Sequence, residues 1–235
     1  MFTKISSKQI FLGNYGWHTG RFHFSFADYN DPENTQFGDL IAFNDFSVLP
    51  SSGFDAHPHE ELEIITYCLE GQLAHEDNMG NKCVLERGDM QYTCAGSGIT
   101  HSEMNHSSDK PLRFVQIWIK PNENMLTPYY RSIHFNQRDR LNRLLHIASG
   151  QPIKNVTRIN QDANVFVSEI ESGVQFGIRQ LPNRQEYLAC LEGSVTINGV
   201  PLQTGDAIKT WGERLLSLVA IENCHLVLIE MSRCS

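Results

Sequence analysis

The chain has 235 residues, of which 40% are hydrophobic and 20% charged, with a formal net charge of −8. This composition is ordinary for a globular protein, and the acidic balance argues against non-specific binding to nucleic acid or docking on anionic membranes. The first residues, MFTKISS, lack the basic start and apolar run of a signal peptide, and no segment approaches the roughly 20 apolar residues of a membrane-spanning helix. The six cysteines form no CxxC pair, so we predict a cytoplasmic protein with reduced thiols.

Short apolar or alternating runs separated by Gly, Asn and Asp predict an all-β fold. Residues 21–26 (RFHFSF) and 113–120 (RFVQIWIK) alternate strictly. The run VTINGV at 195–200 indicates a hairpin around an Asn-Gly turn, and LVLI at 226–229 is typical of a fully buried strand. Residues 136–148 depart from this pattern, because their leucines recur at helical spacing and predict a short helix.

Two short polar clusters contain good metal ligands at positions i and i+2. They are His57 with His59, and His101 with Glu103. On a β-strand, residues two apart point to the same face, so each cluster can direct both side chains at one point. Three imidazoles and one carboxylate suit a divalent transition metal, with iron, copper, nickel and manganese as candidates.

The sequence also repeats itself at the scale of a domain. CLEG at 68–71 recurs at 190–193, and a Gly-Asp pair follows each copy, at 88–89 and 205–206. The ordered pair of matches predicts two homologous β-domains.

The second copy lacks the candidate ligands. At the repeat positions of the two histidines of the first cluster stand Arg179 and Leu181, and at those of the second cluster stand Leu218 and Ala220. Because the second copy of the scaffold exists without them, the four ligand-type residues are not needed for the β-structure. The chain is therefore predicted to carry one ion.

Several motifs resemble those of the pirin family of bicupins. The resemblance implies two antiparallel β-barrel domains of the jelly-roll or cupin type with a few short helices. Residues 1–130 would form a metal-binding cupin domain, and residues 131–235 a degenerate cupin domain without metal ligands. The motifs are GFDAHPH at 53–59, Glu63 and LEG at 69–71 for the first cupin motif, Gly-Asp at 88–89 and AGSGITHSE at 95–103 for the second, and HFSFADY at 23–29 for the pirin start.

The resemblance also implies a ligand set and a metal. The ligands would be His57, His59, His101 and Glu103, whereas many other cupins use the glutamate found here at Glu63, for which we expect a supporting role. Iron(II) is the first choice of ion, and Cu, Ni, Mn, Co or Zn are alternatives. The bacterial pirin-like bicupins with quercetin 2,3-dioxygenase activity carry a similar His-Pro-His stretch. Many pirins have Arg-Gly-Phe next, and this chain has Glu-Glu-Leu at 60–62, which favours the bacterial, enzyme-like branch.

By family analogy, the function is oxygen-dependent cleavage of a flavonol such as quercetin. The substrate would lose its 3-hydroxyl proton to Glu103 as general base, and 2,4-dioxygenolytic ring opening would release CO. The partners would be a small aromatic substrate and O2, without nucleic acid or membrane, and the chain would be a monomer. The alternatives are a metal- or redox-sensing regulatory protein with a protein partner, and another cupin reaction at the same site.

A flat aromatic substrate requires an apolar pocket. Core packing is the competing role for every aromatic residue that could form its wall. Gln116, His75 and Asn105 are candidates for orienting the imidazoles. The candidate wall residues are Phe22, Phe24, Phe26, Phe43, Phe46, Phe114 and Trp118.

Overall fold

The computed structural model describes residues 1–212 and 215–233, which contain 22 strands and one helix of four residues. No helix in these residues is long and apolar enough to cross a bilayer. The first strands are β1 (Phe2–Ile5), β2 (Phe11–Asn14), β3 (His18–Phe22), β4 (Leu40–Val48), β5 (Gly53–His59), β6 (Glu63–Glu70), β7 (Leu73–Asp77), β8 (Lys82–Leu85), β9 (Met90–Cys94), β10 (Ile99–Asn105), β11 (Leu112–Ile119) and β12 (Tyr129–Ile133). The helix and the remaining strands are α1 (Gln137–Arg140), β13 (Leu145–Ser149), β14 (Thr157–Arg158), β15 (Ala163–Ile170), β16 (Gln175–Arg179), β17 (Arg184–Glu192), β18 (Ser194–Ile197), β19 (Val200–Gln203), β20 (Ala207–Trp211), β21 (Leu215–Ala220) and β22 (Cys224–Ser232).

The chain divides into two compact units. The N-terminal unit comprises Phe11–Phe135, and the C-terminal unit comprises Met1–Ile10 together with the chain from Asn136 onward. Each unit has one seven-stranded and one four-stranded sheet. The all-β class is therefore confirmed, while the domain boundary between residues 130 and 131 stays a prediction.

Both units use the same strand order. The large sheets run β12-β9-β6-β11-β4-β3-β2 and β1-β20-β17-β22-β15-β13-β14, and the small sheets run β5-β10-β7-β8 and β16-β21-β18-β19. The strands pair antiparallel, except that β13 and β14 are parallel. The first strand of the chain, β1, thus takes in the C-terminal unit the place that β12 takes in the N-terminal unit.

The repeated CLEG and Gly-Asp motifs have a common structural role. Cys68 exchanges backbone hydrogen bonds with the first Gly-Asp pair, and Cys190 does the same with the second, at 2.7–3.0 Å. Gly71 and Gly193 both have positive φ, +77° and +71°. A Cβ at either glycine would overlap a backbone carbonyl oxygen, so the turn requires glycine in each copy.

One helical prediction was too long. The helix ends at Arg140, and Leu145–Ser149 forms strand β13. The buried Arg140 pairs with Glu169 of β15 at 3.1 Å, and β13 pairs with the same strand. Pairing in the sheet therefore overrides the helical spacing of the leucines. Five cysteines are free thiols (Cys68, Cys83, Cys94, Cys190 and Cys224), and Cys234 lies outside the described residues.

Candidate metal centre

Strands β5 and β10 bring the two histidine clusters together. The strands pair antiparallel with His101 opposite His57 and Ile99 opposite His59, and a bulge follows between His101 and Glu103. Along β10 buried and half-buried residues alternate, so His101 and Glu103, only 1% and 2% exposed, both point inward. The i and i+2 spacing therefore has the predicted consequence in the sheet.

The ligand atoms form two triads that share one residue. In the first, ring nitrogens of His57, His59 and His101 lie within 4.8 Å of one another. In the second, His101 lies within the same limit of Glu103 and His75. The structure thus places the other three predicted ligands near His101, and it also places there His75, which was predicted only to orient an imidazole.

The imidazole nitrogens fit a metal ion. His57 Nδ1 lies 2.7 Å from the carbonyl oxygen of Asp55 and donates a hydrogen bond to it. In the neutral ring the Nε2 atom therefore carries the lone pair that can bind a metal ion. That Nε2 lies 3.1 Å from Nε2 of His101. Two ligands at about 2.1 Å from one ion and at right angles would be about 3.0 Å apart. His59 Nε2 is buried without a hydrogen-bond partner among residues 1–212 and 215–233, which is costly unless a ligand satisfies it.

Burial keeps two of the imidazoles neutral. It lowers the pKa of His59 to about 4, with a further contribution from the charge of His57. It lowers the pKa of His101 to about 3, reinforced by His57, His59 and His75. Neutral imidazole is the form that binds metal, so at neutral pH these residues need not release a proton first.

The carboxyl group of Glu103 is held by three donors. Oε1 accepts from Thr66 Oγ1 at 3.2 Å and from Gln91 Nε2 at 2.7 Å, and Oε2 accepts from Gln116 Nε2 at 2.7 Å. Burial raises the pKa of Glu103 to about 7, against the opposing effect of these hydrogen bonds. Such a carboxyl group can both hold and release a proton near neutral pH.

The amides that hold Glu103 are themselves fixed. Gln116 accepts at Oε1 from Trp118 Nε1 at 2.8 Å, and Gln91 accepts at Oε1 from the Tyr130 hydroxyl at 3.1 Å. Each amide therefore has a defined orientation, with its NH2 group toward the carboxylate. The sequence predicted that Gln116 orients an imidazole, whereas in the structure it orients the carboxyl group of Glu103.

His75 was predicted to orient an imidazole, and in the structure it lies close enough to His101 and Glu103 to belong to the ligand cluster itself. It lies directly opposite Glu103 in the β7–β10 pairing, stacks on Tyr130 at 4.3 Å, and has Nε2 3.4 Å from Asp77 Oδ2. Its Nδ1 is buried and unpartnered within the described part of the chain. The available signal was the alternation of LAHED, which places His75 on the inward face once β7 is known to pair with β10.

Glu63 and Asn105 have other partners. Glu63 Oε1 accepts from the Tyr92 hydroxyl at 2.5 Å, and neither triad includes it. Asn105 Nδ2 donates to backbone carbonyls, including that of Lys110 at 2.9 Å. These two side chains support the strands and turns around the site.

The seven aromatic residues expected around the substrate lie at two depths. Phe26 and Trp118 are half-buried and meet edge-on at 5.2 Å, and Trp118 also contacts the His59 ring at 5.1 Å. A role for the set as pocket wall stays a prediction. A cavity of about 350 Å³ opens beside His59 and is lined by Pro58, Glu60, Asn78, Gly98, Ile99 and Thr100 as well. The fully buried members are Phe22, Phe24, Phe43, Phe46 and Phe114.

Two homologous β-units, with a histidine-rich cluster in the first, define a bicupin with a candidate centre for a divalent metal. Residues 5–119 match the family described as Pirin, and residues 146–231 match the one described as Quercetinase C-terminal cupin domain. The chain is 35% identical over 218 residues to a quercetin 2,3-dioxygenase of Escherichia coli K12, covering 93% of both proteins. It is 36% identical over 218 residues to a pirin-like protein of Caulobacter vibrioides, covering 92% of this chain and 94% of that one.

A solved structure agrees with these sequence matches. The crystal structure of the bacterial pirin YhhW from Escherichia coli in complex with nickel(II) has a TM-score of 0.93 to this chain at 32% identity, covering 100% of each. The chain belongs to the pirin family.

Proposed function

We propose that the chain is a cytoplasmic, metal-dependent dioxygenase that opens the heterocycle of flavonols such as quercetin. The observation that carries the proposal is the 3.1 Å separation of the Nε2 atoms of His57 and His101, beside a third imidazole and a buried carboxyl group. The names of the relatives support the substrate class. The metal-dependent reaction would belong to residues 1–130, with residues 131–235 as the metal-free cupin domain.

The ligands would be His57, His59, His101 and Glu103, with iron(II) preferred over Cu, Ni, Mn, Co and Zn. Such an ion would supply Lewis acidity toward the substrate oxygens and redox chemistry toward O2. The protein contributes neutral imidazoles and a strand pairing that fixes their separation. His75 lies within reach of the same centre and would complete its inner wall.

Glu103 would also accept the proton of the flavonol 3-hydroxyl. Its Oε1 accepts two hydrogen bonds from Thr66 and Gln91, while Oε2 accepts one from Gln116. Oε2 therefore has more capacity left, and it is the oxygen expected to face substrate or metal. Burial raises the pKa of Glu103 to about 7 in the metal-free protein. A bound metal ion would lower this pKa and hold the group as the carboxylate that accepts the proton.

The reaction consumes one O2 and inserts both of its atoms into the product. The deprotonated flavonol gains two oxygen atoms, one at C2 and one at C4. The C2–C3 and C3–C4 bonds break, and C3, the carbon that carried the 3-hydroxyl group, leaves as CO, while the proton returns to the depside, the other product. Trp118, which contacts His59, would pack against the flat ring system. The cavity beside His59 would admit the substrate.

Oxygen uptake on quercetin is the direct test. Metal-free protein is loaded separately with each of the six ions, and we expect at least one form to consume O2 in a 1:1 ratio with quercetin, release CO and bleach the visible band. No turnover with any of them would refute the flavonol assignment. Retention of tightly bound metal in that case would favour the alternative of a metal-sensing protein.

The ligand assignment is tested by substitution of one histidine. His101→Ala should lose bound metal and oxygen uptake, because the residue belongs to both triads. His106→Ala, at an exposed position five residues further along, is the matched control and should keep both. Full metal occupancy in His101→Ala would contradict the ligand set.

Glu103→Gln separates the ligand role from the proton role. If Glu103 is the general base, the variant should turn over quercetin about 10²-fold or more slowly even where the metal content is restored by excess ion. If the metal content is restored and the rate is restored with it, Glu103 is a ligand without a proton role.

A further inference from the structure

The C-terminal unit contains a cavity of its own, with a volume of about 350 Å³, lined by residues of both its sheets. Arg179, the last residue of β16, and Leu181 lie on its wall. The sequence alignment that places Arg179 at the position of His57 does not hold in the sheet, because Phe176 and not Arg179 lies opposite Leu218. Sites for small molecules typically have volumes of about 300–1,000 Å³. The second unit therefore has a space of ligand size that is lined in part by β16, which takes the place of β5 in the strand order.

Most of this wall is apolar. Leu144, Phe166, Ile178 and Leu228 line the cavity, and Phe166 stacks on the ring of His146 at 4.2 Å with 26° between the planes. Apolar side chains beside a fixed ring favour a ligand with a compact aromatic or branched aliphatic body.

One polar group on the wall lacks a partner. Glu186 is 1% exposed and lines the cavity. Its Oε2 has no hydrogen-bond partner among residues 1–212 and 215–233. A buried carboxyl oxygen without a donor costs free energy, and a ligand that supplies a donor recovers it.

The charges around Glu186 favour a cationic donor. Glu230 lies directly opposite it in the β17–β22 pairing. Arg184 donates to both carboxylate oxygens of Glu230, and Asn164 Nδ2 donates to Oε2 at 2.6 Å. The guanidinium of Arg184 is therefore engaged with Glu230 and also with Asp162. Arg179 lies on the same cavity wall, but among the described residues no ion pair joins it to Glu186. The side-chain amide of Gln180 offsets part of the rise in the pKa of Glu186 without adding a positive charge.

The cavity is not a second metal centre. Within the described residues, the C-terminal unit has no group of three His, Cys, Asp or Glu ligand atoms close enough to hold an ion. His146 Nε2 lies 3.1 Å from Asn164 Oδ1 and is occupied by it. The buried acceptor thus calls for an organic cation.

We infer that the C-terminal cavity binds a small organic amine, whose ammonium group donates to Glu186 Oε2 and whose apolar body packs against Phe166 and Leu228. A charge-assisted hydrogen bond to a buried carboxylate is stronger than a neutral one. Burial, reinforced by the charge of Glu230, raises the pKa of Glu186 to about 7, so a bound cation would also favour its ionised form. This inference is independent of the N-terminal metal centre.

The test uses benzylamine as the probe and benzyl alcohol as its uncharged counterpart. The full chain with labelled Ile and Leu methyl groups is titrated with each compound at pH 8 and followed by NMR. We expect benzylamine to shift the methyl signals of Leu144, Ile178 and Leu228 and to bind about tenfold or more tightly than benzyl alcohol. Glu186→Gln should lose that advantage, whereas Glu222→Gln, an exposed glutamate of the same unit, should keep it.

The outcomes are distinct. Equal binding of the two probes, methyl shifts away from this cavity, or unchanged benzylamine affinity in Glu186→Gln would each overturn the inference. The comparison of amine and alcohol on the unsubstituted chain decides the matter even if Glu186→Gln does not fold. Oxygen uptake on quercetin should be the same in Glu186→Gln as in the unsubstituted chain, so failure of one proposal is distinguishable from failure of the other.

Discussion

Glu186→Gln should make the protein more stable, and increasingly so as the pH rises. Burial of the carboxyl group raises its pKa from 4.5, the ordinary value, to about 7, so folding favours the protonated form. The stability contributed by that protonated form is complete below pH 4.5 and is lost as the pH rises through about 7. Glutamine has a similar shape and never ionises, so the variant does not suffer this loss.

The magnitude follows from the pKa difference. Raising the pKa from 4.5 to about 7, at about 1.4 kcal/mol per pH unit, corresponds to about 3.5 kcal/mol in full, of which about 2.5 kcal/mol falls between pH 5 and pH 8. The other titrating groups are common to both proteins and cancel in the comparison. The gain in unfolding free energy of Glu186→Gln over the unsubstituted chain should therefore grow by about 2.5 kcal/mol over this range.

Guanidinium denaturation of both proteins at pH 5 and pH 8 measures this difference, with the fluorescence of Trp211, in the same unit, contributing to the signal. Glu222→Gln, at an exposed position, is the control and should change the unfolding free energy little. A gain for Glu186→Gln that is equal at the two pH values would refute the reasoning, because it would mean that the carboxyl group does not titrate between them.

Three further predictions concern the turns, the support of Glu103 and the metal. Gly71→Ala should cost several kcal/mol of stability, because the new Cβ would overlap the carbonyl oxygen of Pro111. Gly80 has a similar positive φ but open space around it, so Gly80→Ala should cost about 1 kcal/mol, and equal costs of the two variants in denaturation would contradict this. Gln116→Leu removes the donor to Glu103 Oε2 and should cost about 1–3 kcal/mol in the same assay, with slower oxygen uptake on quercetin; an unaffected protein would show that this amide is dispensable. Removal of the metal with a chelator should lower the melting temperature, and re-addition should raise it in a concentration-dependent way; a melting temperature independent of added ion would argue against a site in the folded state.

The sequence contained enough to predict the all-β class and to place the two ligand-type residues of each pair on one face of a strand. Local periodicity was sufficient for this, because i and i+2 residues on a strand share a face whatever the strand pairs with. The expectation that the two pairs form one ligand set came from the resemblance to pirins, and their proximity in the structure follows from the pairing of β5 with β10. The duplicated CLEG and Gly-Asp motifs also predicted the repeat of the fold, because each of their glycines occupies a turn position with positive φ. These features depend on short stretches of chain.

The features that escaped prediction depend on pairing between distant strands. His75 joins the cluster because β7 lies beside β10, and no short-range pattern shows that neighbour. In the sequence, nothing distinguishes Glu186 from the other polar residues of β17. Its unpartnered oxygen can be recognised only once Glu230 is placed opposite it and Arg184 is found to bond to Glu230. The leucines of residues 136–148 likewise followed a helical period, but sheet pairing decided their structure.

The pairing of β1 with β20 has a consequence for the order in which the chain can fold. During synthesis β1 emerges about 200 residues before its partner strand β20, and Lys4 and Ser7 bond to Asp206 only after that strand is made. Until the two meet, one edge of β20 has no neighbour and exposes unpaired backbone groups, which is the situation that promotes intermolecular strand addition. Deletion of residues 2–5, or a fusion that disturbs them, should therefore lower solubility, because it leaves the edge of β20 unpaired.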